Sequence, residues 1–125
     1  MTNELTLRML TDAGLSTDWM TVYVGWRGIQ LRPEWKTAQL PFDEARALAI
    51  NALASSVGTS LEHDVFLVAD SETEHEGEDA LLRLAKAAGI SEDAATRKWR
   101  YAFIHDALPR IMREEVYSHS IYGDK

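Results

Sequence analysis

The sequence predicts a mainly α fold, a single-domain helical bundle of about five helices with a possible short β-hairpin at 20–31. Three observations carry that expectation. Apolar residues recur at i, i+3, i+4 and i+7 in segment after segment. Gly14, Gly28, Pro33, Pro41, Gly58, Gly89 and Pro109 divide those segments. A chain of 125 residues, 46% of them hydrophobic, can fill one core without staples, and with no Cys it has no disulfide or thiolate metal site to lean on.

Residues 4–13 form the first expected helix, with Leu5, Met9, Leu10 and Ala13 on one side and Gly14 as the residue that ends it. Ser16 or Thr17 caps the next segment. There Trp19, Val22, Tyr23 and Trp26 match a helix, while Met20, Val22, Val24 and Trp26 alternate as in a strand. The helix, ending at Gly28, is preferred; a strand would find its hairpin partner in Ile29 and Leu31. Residues 29–41 form a connection containing Pro33, Trp35 and Pro41. Its length is unusual for a loop without structure of its own.

The clearest helix is 42–57. Pro41 stands at its start, Asp43 and Glu44 suit the positive N-terminal end, and Gly58 closes it. Leu61–Asp70 contains the continuous apolar run Val65–Ala69, which fits either a buried helix or a buried strand. Glu78–Ala88 reads as a helix stopped by Gly89. Ser91 caps a last helix running to about Leu108, with Trp99 and Phe103 as core anchors. Pro109 kinks or restarts it, Ile111, Met112 and Val116 continue an apolar face, and 118–125 is expected to fray.

Charge narrows the function. The net charge is −7, and its layout is uneven. Residues 60–93 carry ten anions against Arg83 and Lys86, whereas residues 94–125 carry six cations and four anions. A negative field repels phosphate backbones, so a nucleic-acid partner is not expected, although Arg97, Lys98 and Arg100 interleave with Trp99 and Tyr101. No apolar run is long enough to span a bilayer, and the N-terminus lacks the order of a signal peptide. A cytoplasmic protein without a membrane partner is expected.

No constellation of reactive residues stands out. His63, His75, His105 and His119 never pair at i, i+4. Glu74-His75-Glu76 with Asp79 is the densest potential metal cluster, but it has no evident packing to fix its ligands. His105 and Asp106 are adjacent, and neighbours on a helix point about 100° apart rather than at each other. Gly25-Trp26-Arg27-Gly28 lacks the third glycine and acidic partner of a nucleotide cradle. No catalytic residue, metal or cofactor is therefore expected. Asp70, Glu72, Glu74, Glu76, Glu78 and Asp79 are the candidate partner-binding carboxylates, against the alternative of a solvated acidic loop. Of the four Trp residues, Trp26 and Trp35 are the better candidates for apolar anchors on an exposed surface, although core packing is the preferred role for each.

Ser16-Thr17-Asp18-Trp19 leading through Val22 to Gly25-Trp26, the helix opening Phe42-Asp43-Glu44-Ala45, and Arg97-Lys98-Trp99-Arg100-Tyr101-Ala102-Phe103 together resemble small bacterial domains, some of which are immunity proteins of toxin–immunity pairs. The resemblance implies a non-catalytic cytoplasmic protein that binds one cognate toxin, and an acidic surface suited to a basic one. The alternatives are a regulatory or scaffolding homodimer, formed through an Ala-rich helix such as 42–57, and a carboxylate- and His-dependent metal enzyme.

Overall fold

A computed structural model describes residues 4–30, 37–55 and 62–121. They form a small all-α bundle: α1 (Leu7–Asp12), α2 (Trp19–Arg27), α3 (Phe42–Ser55), α4 (Glu62–Asp70), α5 (Glu74–Ala87) and α6 (Glu92–Ile121). Helix α2 is the hub. It packs on α5, α6 and α3, while α4 lies between α3 and α5, and α1 rests on α6. Being covered on several sides, α2 buries Met20, Thr21, Val22, Val24, Gly25 and Trp26 in its nine residues.

Of the two readings of 20–31 the preferred helix is the one observed, over 19–27, and the alternative hairpin is not seen among the described residues. The helix wins through its cap. The Asp18 carboxylate accepts from the Thr21 amide at 2.9 Å, and the apolar period then has bundle surface on several sides to bury against. Ile29 instead pairs antiparallel with Ala38, through bonds of 2.8 and 2.7 Å. The returning segment also covers the end of α2. Leu40 donates its amide to the Gly25 carbonyl at 2.8 Å, and the Gln39 side chain donates to the Trp26 carbonyl at 2.7 Å. The Trp26 carbonyl, which the helix end leaves open, is thereby satisfied, and the Gly25 carbonyl gains a second donor beside the Gly28 amide at 3.2 Å.

Other boundaries move for local reasons. Helix α1 starts at Leu7, since Glu4 is bridged to Gln39 and the Leu5 amide bonds the Gln39 carbonyl. Thr6 offers no side-chain cap, and Glu44 of α3 accepts the Leu7 amide at 2.8 Å in its place. Gly14, at φ 75°, ends α1 as expected: its amide bonds Thr11 and the Leu15 amide bonds Leu10, the paired closure that a left-handed residue permits. Of the 61–70 run, Glu62–Asp70 is helix, with Val65 and Val68 inward, and residue 61 lies outside the described residues. Helix α5 starts four residues earlier than expected, at Glu74. Helix α6 passes through Pro109 to Ile121, so the proline does not end it and the first residues of 118–125 are helical. A single missing amide is tolerated there with full turns on either side. Residues 122–125 lie outside the described residues.

The core joins Leu5, Leu10, Val22, Leu40, Phe42, Val68, Leu81, Leu84 and Trp99. Its tightest point is the crossing of α2 and α6. A methyl group at Gly25 would lie 2.7 Å from the Trp99 ring, so only glycine lets the indole lie this close on α2. The Trp99 indole then donates to the Thr21 carbonyl at 2.7 Å, fully buried. Phe103, expected as a second anchor, is only half-buried. Beside Trp99, Lys98 reaches back to the start of α2 and bonds Asp18 at 2.6 Å and the Ser16 hydroxyl at 2.8 Å. Burial alone would raise the Asp18 carboxyl. Hydrogen bonds from Lys98 and from the Thr21 amide and hydroxyl, together with the Lys98 charge, outweigh it and hold the pKa below its ordinary 3.8.

Two outcomes are expected. Gly25→Ala lowers unfolding free energy by about 2 kcal/mol in urea titrations, because neither the Trp99 ring nor the helix backbone can step aside cheaply. Asp18→Asn keeps an N-cap but loses the charged pair, at about 1 kcal/mol near pH 7. With its folded pKa depressed, Asp18 contributes fully above the unfolded value and loses that contribution as pH falls below 3.8. The stability gap between wild type and Asp18→Asn therefore closes in acid; a gap that stays constant from about pH 7 to about pH 2 would contradict the pairing.

Candidate partner-binding surface

The acidic segment is an ordered corner. Helix α4 ends at Asp70 and α5 begins at Glu74. Thr73 caps α5, accepting the Glu76 amide at 3.3 Å, and the Glu76 carboxylate reaches back to the Glu72 amide at 2.7 Å. This is close to a reciprocal capping box, and it explains why α5 opens at Glu74 rather than Glu78. The corner is fastened below. Ser71 is buried and donates to the Val68 carbonyl at 2.8 Å, while Arg46 of α3 donates to the Ser71 carbonyl at 2.8 Å and pairs with Asp43. Arg83 of α5 ties to Asp64 of α4 at 2.9 Å.

Gly77, Ala80, Leu81, Leu84 and Ala85 face the core, which leaves the acids outside. Asp70, Glu72, Glu74, Glu76, Glu78 and Asp79 are all exposed, so the structure places the six candidate carboxylates on one rigid turn and helix start. They are not equivalent. Glu76 serves the cap, and Glu78 lies 3.9 Å from His75. Among the described residues no Lys or Arg pairs with Asp70, Glu72, Glu74 or Asp79. The positive end of the α5 dipole lies beneath them and offsets part of their mutual repulsion.

The two Trp candidates fare differently. Trp26 is not an exposed anchor. It is 8% exposed, 5.9 Å from Phe42 in an edge contact and 6.0 Å from Tyr23. A large ring on the inward side of α2 is worth more in the core than in water. Trp35 lies outside the described residues. The apolar residue that does sit at the surface here is Phe66, 50% exposed. It shares the outer face of α4 with His63 and Asp70, by exposure and by i, i+3 and i+4 spacing. The sequence pattern hides it inside the apolar run 65–69. Periodicity singles it out only once the run is taken as helix, because Val65 and Val68 then define the inward side.

The remaining candidates have local roles. Gly25 is a packing contact and Gly28 follows the last residue of α2, so Gly25–Gly28 forms a helix end rather than a cradle. His105 stacks on Tyr101, with ring centres 6.3 Å apart, and both His105 and Asp106 are exposed. Among the described residues no three His, Asp or Glu side chains converge as metal ligands, and no helix is long and apolar enough to cross a membrane. Comparison with protein-family models, curated proteins and solved structures finds no match to this chain.

Removing the cap should loosen the corner without touching the core. Thr73→Ala is expected to cost about 1 kcal/mol. Hydrogen exchange of the amides at 72–76 should quicken more than that of the amides at 80–85. Equal acceleration in both stretches would show that Thr73 does not act locally.

Proposed function

We propose that this chain is a non-catalytic protein-binding domain acting in the cytoplasm as an immunity protein, which neutralises a cognate basic toxin through the α4–α5 corner. One observation supports this above the rest: Asp70, Glu72, Glu74 and Asp79 stand exposed and, among the described residues, without a cationic partner, on a corner that capping, Ser71 and Arg46 hold rigid. Unneutralised carboxylates on a pre-ordered scaffold accelerate encounter with a basic surface and need no ordering entropy on binding. Phe66 takes the anchor role expected of Trp26, beside Asp70 on the outer face of α4. No chemistry is assigned to the carboxylates; their part is to orient and hold a partner.

The experiment purifies the full chain together with the product of the neighbouring gene, as the candidate toxin. Tight binding is expected, with an association rate that falls steeply as salt is raised. Changing Glu72, Glu74 and Asp79 together to Gln, Gln and Asn should slow association about tenfold while leaving dissociation nearly unchanged. Phe66→Ala should act mainly on dissociation, by about 2 kcal/mol or more if it is an anchor. Salt-independent association, or growth protection from the toxin that survives all four changes intact, would rule out this surface.

A further inference from the structure

Helix α3 leaves the acidic corner and α4 returns to it. At the start of α3, a methyl group at Gly77 of α5 would lie 2.5 Å from the Phe42 ring, and Arg46 reaches the Ser71 carbonyl. Ile50 follows Arg46 by one turn on the same side of α3 and is 53% exposed. Phe66 precedes Asp70 by one turn on α4, so both apolar side chains stand one turn from the corner. Asp64 fixes the side of α4 that Phe66 takes. Its carboxylate is held by Arg83 of α5, and Phe66, two residues on, is turned about 200° from it, away from α5 and toward α3. With Ala45, Ala49, Val65 and Val68 inward, Ile50 and Phe66 flank the outer side of the α3–α4 seam from its two walls. Ala47 and Ala54 are exposed on the same outer side of α3 and keep that wall low.

We propose that this seam is the docking groove for one amphipathic α-helix of the protein partner. The helix lies along α3 and α4, with its apolar face on Ile50 and Phe66 and with Lys or Arg side chains at the end over the corner. The groove adjoins the corner, so its assignment rests on the corner's being where a protein partner binds. Shape favours a helix, because two antiparallel helices leave between them a groove that receives the side chains of a third. Charge selects the occupant. At the corner end of the seam Asp70 and Glu72 are exposed and, among the described residues, without a Lys or Arg partner, while Arg46 is already engaged by Asp43 and the Ser71 carbonyl. An apolar helix without cations would leave those carboxylates uncompensated at its edge, and a basic segment without an apolar face would leave Ile50 and Phe66 in water. A second copy of this chain brings a net charge of −7 to the same place. Ile50 thereby becomes a second anchor, on the opposite wall from Phe66.

Titration of the isotopically labelled full chain with synthetic peptides, followed by amide chemical shifts, tests it. One peptide is a helix former with Leu at every third and fourth position and Lys at one end; the other has the same composition in an order without an apolar stripe. The first should shift amides within 46–54 and 62–72 and bind at least about tenfold more tightly than the second. Ile50→Glu, at an exposed position, should weaken its binding at least about tenfold with circular dichroism and melting preserved. Asp70→Asn with Glu72→Gln should weaken binding of this peptide but not of one with Gln in place of Lys. Equal binding by both orders, shifts outside the seam, or indifference to Ile50→Glu overturns the proposal. So does a dimer of the chain in sedimentation velocity that Ile50→Glu abolishes, since the occupant is then a second copy. The product of the neighbouring gene separates the two readings. If it binds through the corner and is indifferent to Ile50→Glu, the groove is removed and the toxin reading stands. If it does not bind while the striped peptide does, the toxin reading is removed and the groove stands.

Discussion

The arrangement depends on one contact, the Trp99 indole lying against Gly25. It sets how closely α6 approaches α2, and it puts the indole nitrogen on the Thr21 carbonyl, so a large aromatic is buried with its polar atom satisfied. The neighbouring residue completes the fix. Adjacent side chains on a helix diverge by about 100°, so with Trp99 set on the middle of α2, Lys98 is turned toward its beginning, where Asp18 and Ser16 receive it. The far end of α2 is held separately, by Leu40 and Gln39. A nine-residue helix is marginal alone. Here it is capped at the start, pinned in the middle and covered at the end, and it can serve as the surface on which α5 and α3 assemble.

That scaffold accounts for how an acidic corner can stand on a small domain at little cost. Exposed carboxylates repel one another weakly in water, on the order of 1 kcal/mol or less per close pair, and salt reduces that further. The first turn of α5 offsets part of it with its dipole. Several described cations are occupied elsewhere. Arg46 braces the Ser71 carbonyl, Arg83 holds Asp64, Arg27 reaches Glu92, and Lys98 serves Asp18. The negative field at Asp70–Asp79 is thus left over after these internal pairings are made.

Much of the fold is legible in the sequence, and the parts that are not share a cause. The all-α class, the end of α1 at Gly14, the helix opening at Phe42 and the burial of Trp99 follow from period, caps and composition, which are local signals. The half-burial of Phe103 and the choice between core and surface for Trp26 are not settled by the pattern, because each depends on which neighbour arrives. A chain read in one dimension does not say that α5 and α3 both come to α2. The start of α1 escapes for the same reason, since its first amide is received by Glu44, 37 residues away. The start of α5 is a different case. Thr73 and Glu76 carry a readable box, but the density of charge around them resembles a solvated loop, and composition masks the spacing. The six carboxylates are legible because exposure of acids needs no knowledge of neighbours; Phe66 is not, because exposure of a phenylalanine does.

Charge is also sorted along the chain in a way that bears on self-association. The acidic excess of residues 60–93 falls largely on α4 and α5, whereas the charges of α6 balance, five cations against five anions. Helix α2 packs against both α5 and α6. Two copies meeting corner to corner would bring like carboxylates together and be repelled. The layout of charge that makes the molecule acidic overall therefore works against self-association through this corner without any change of conformation, because the same surface on a second copy carries the same sign.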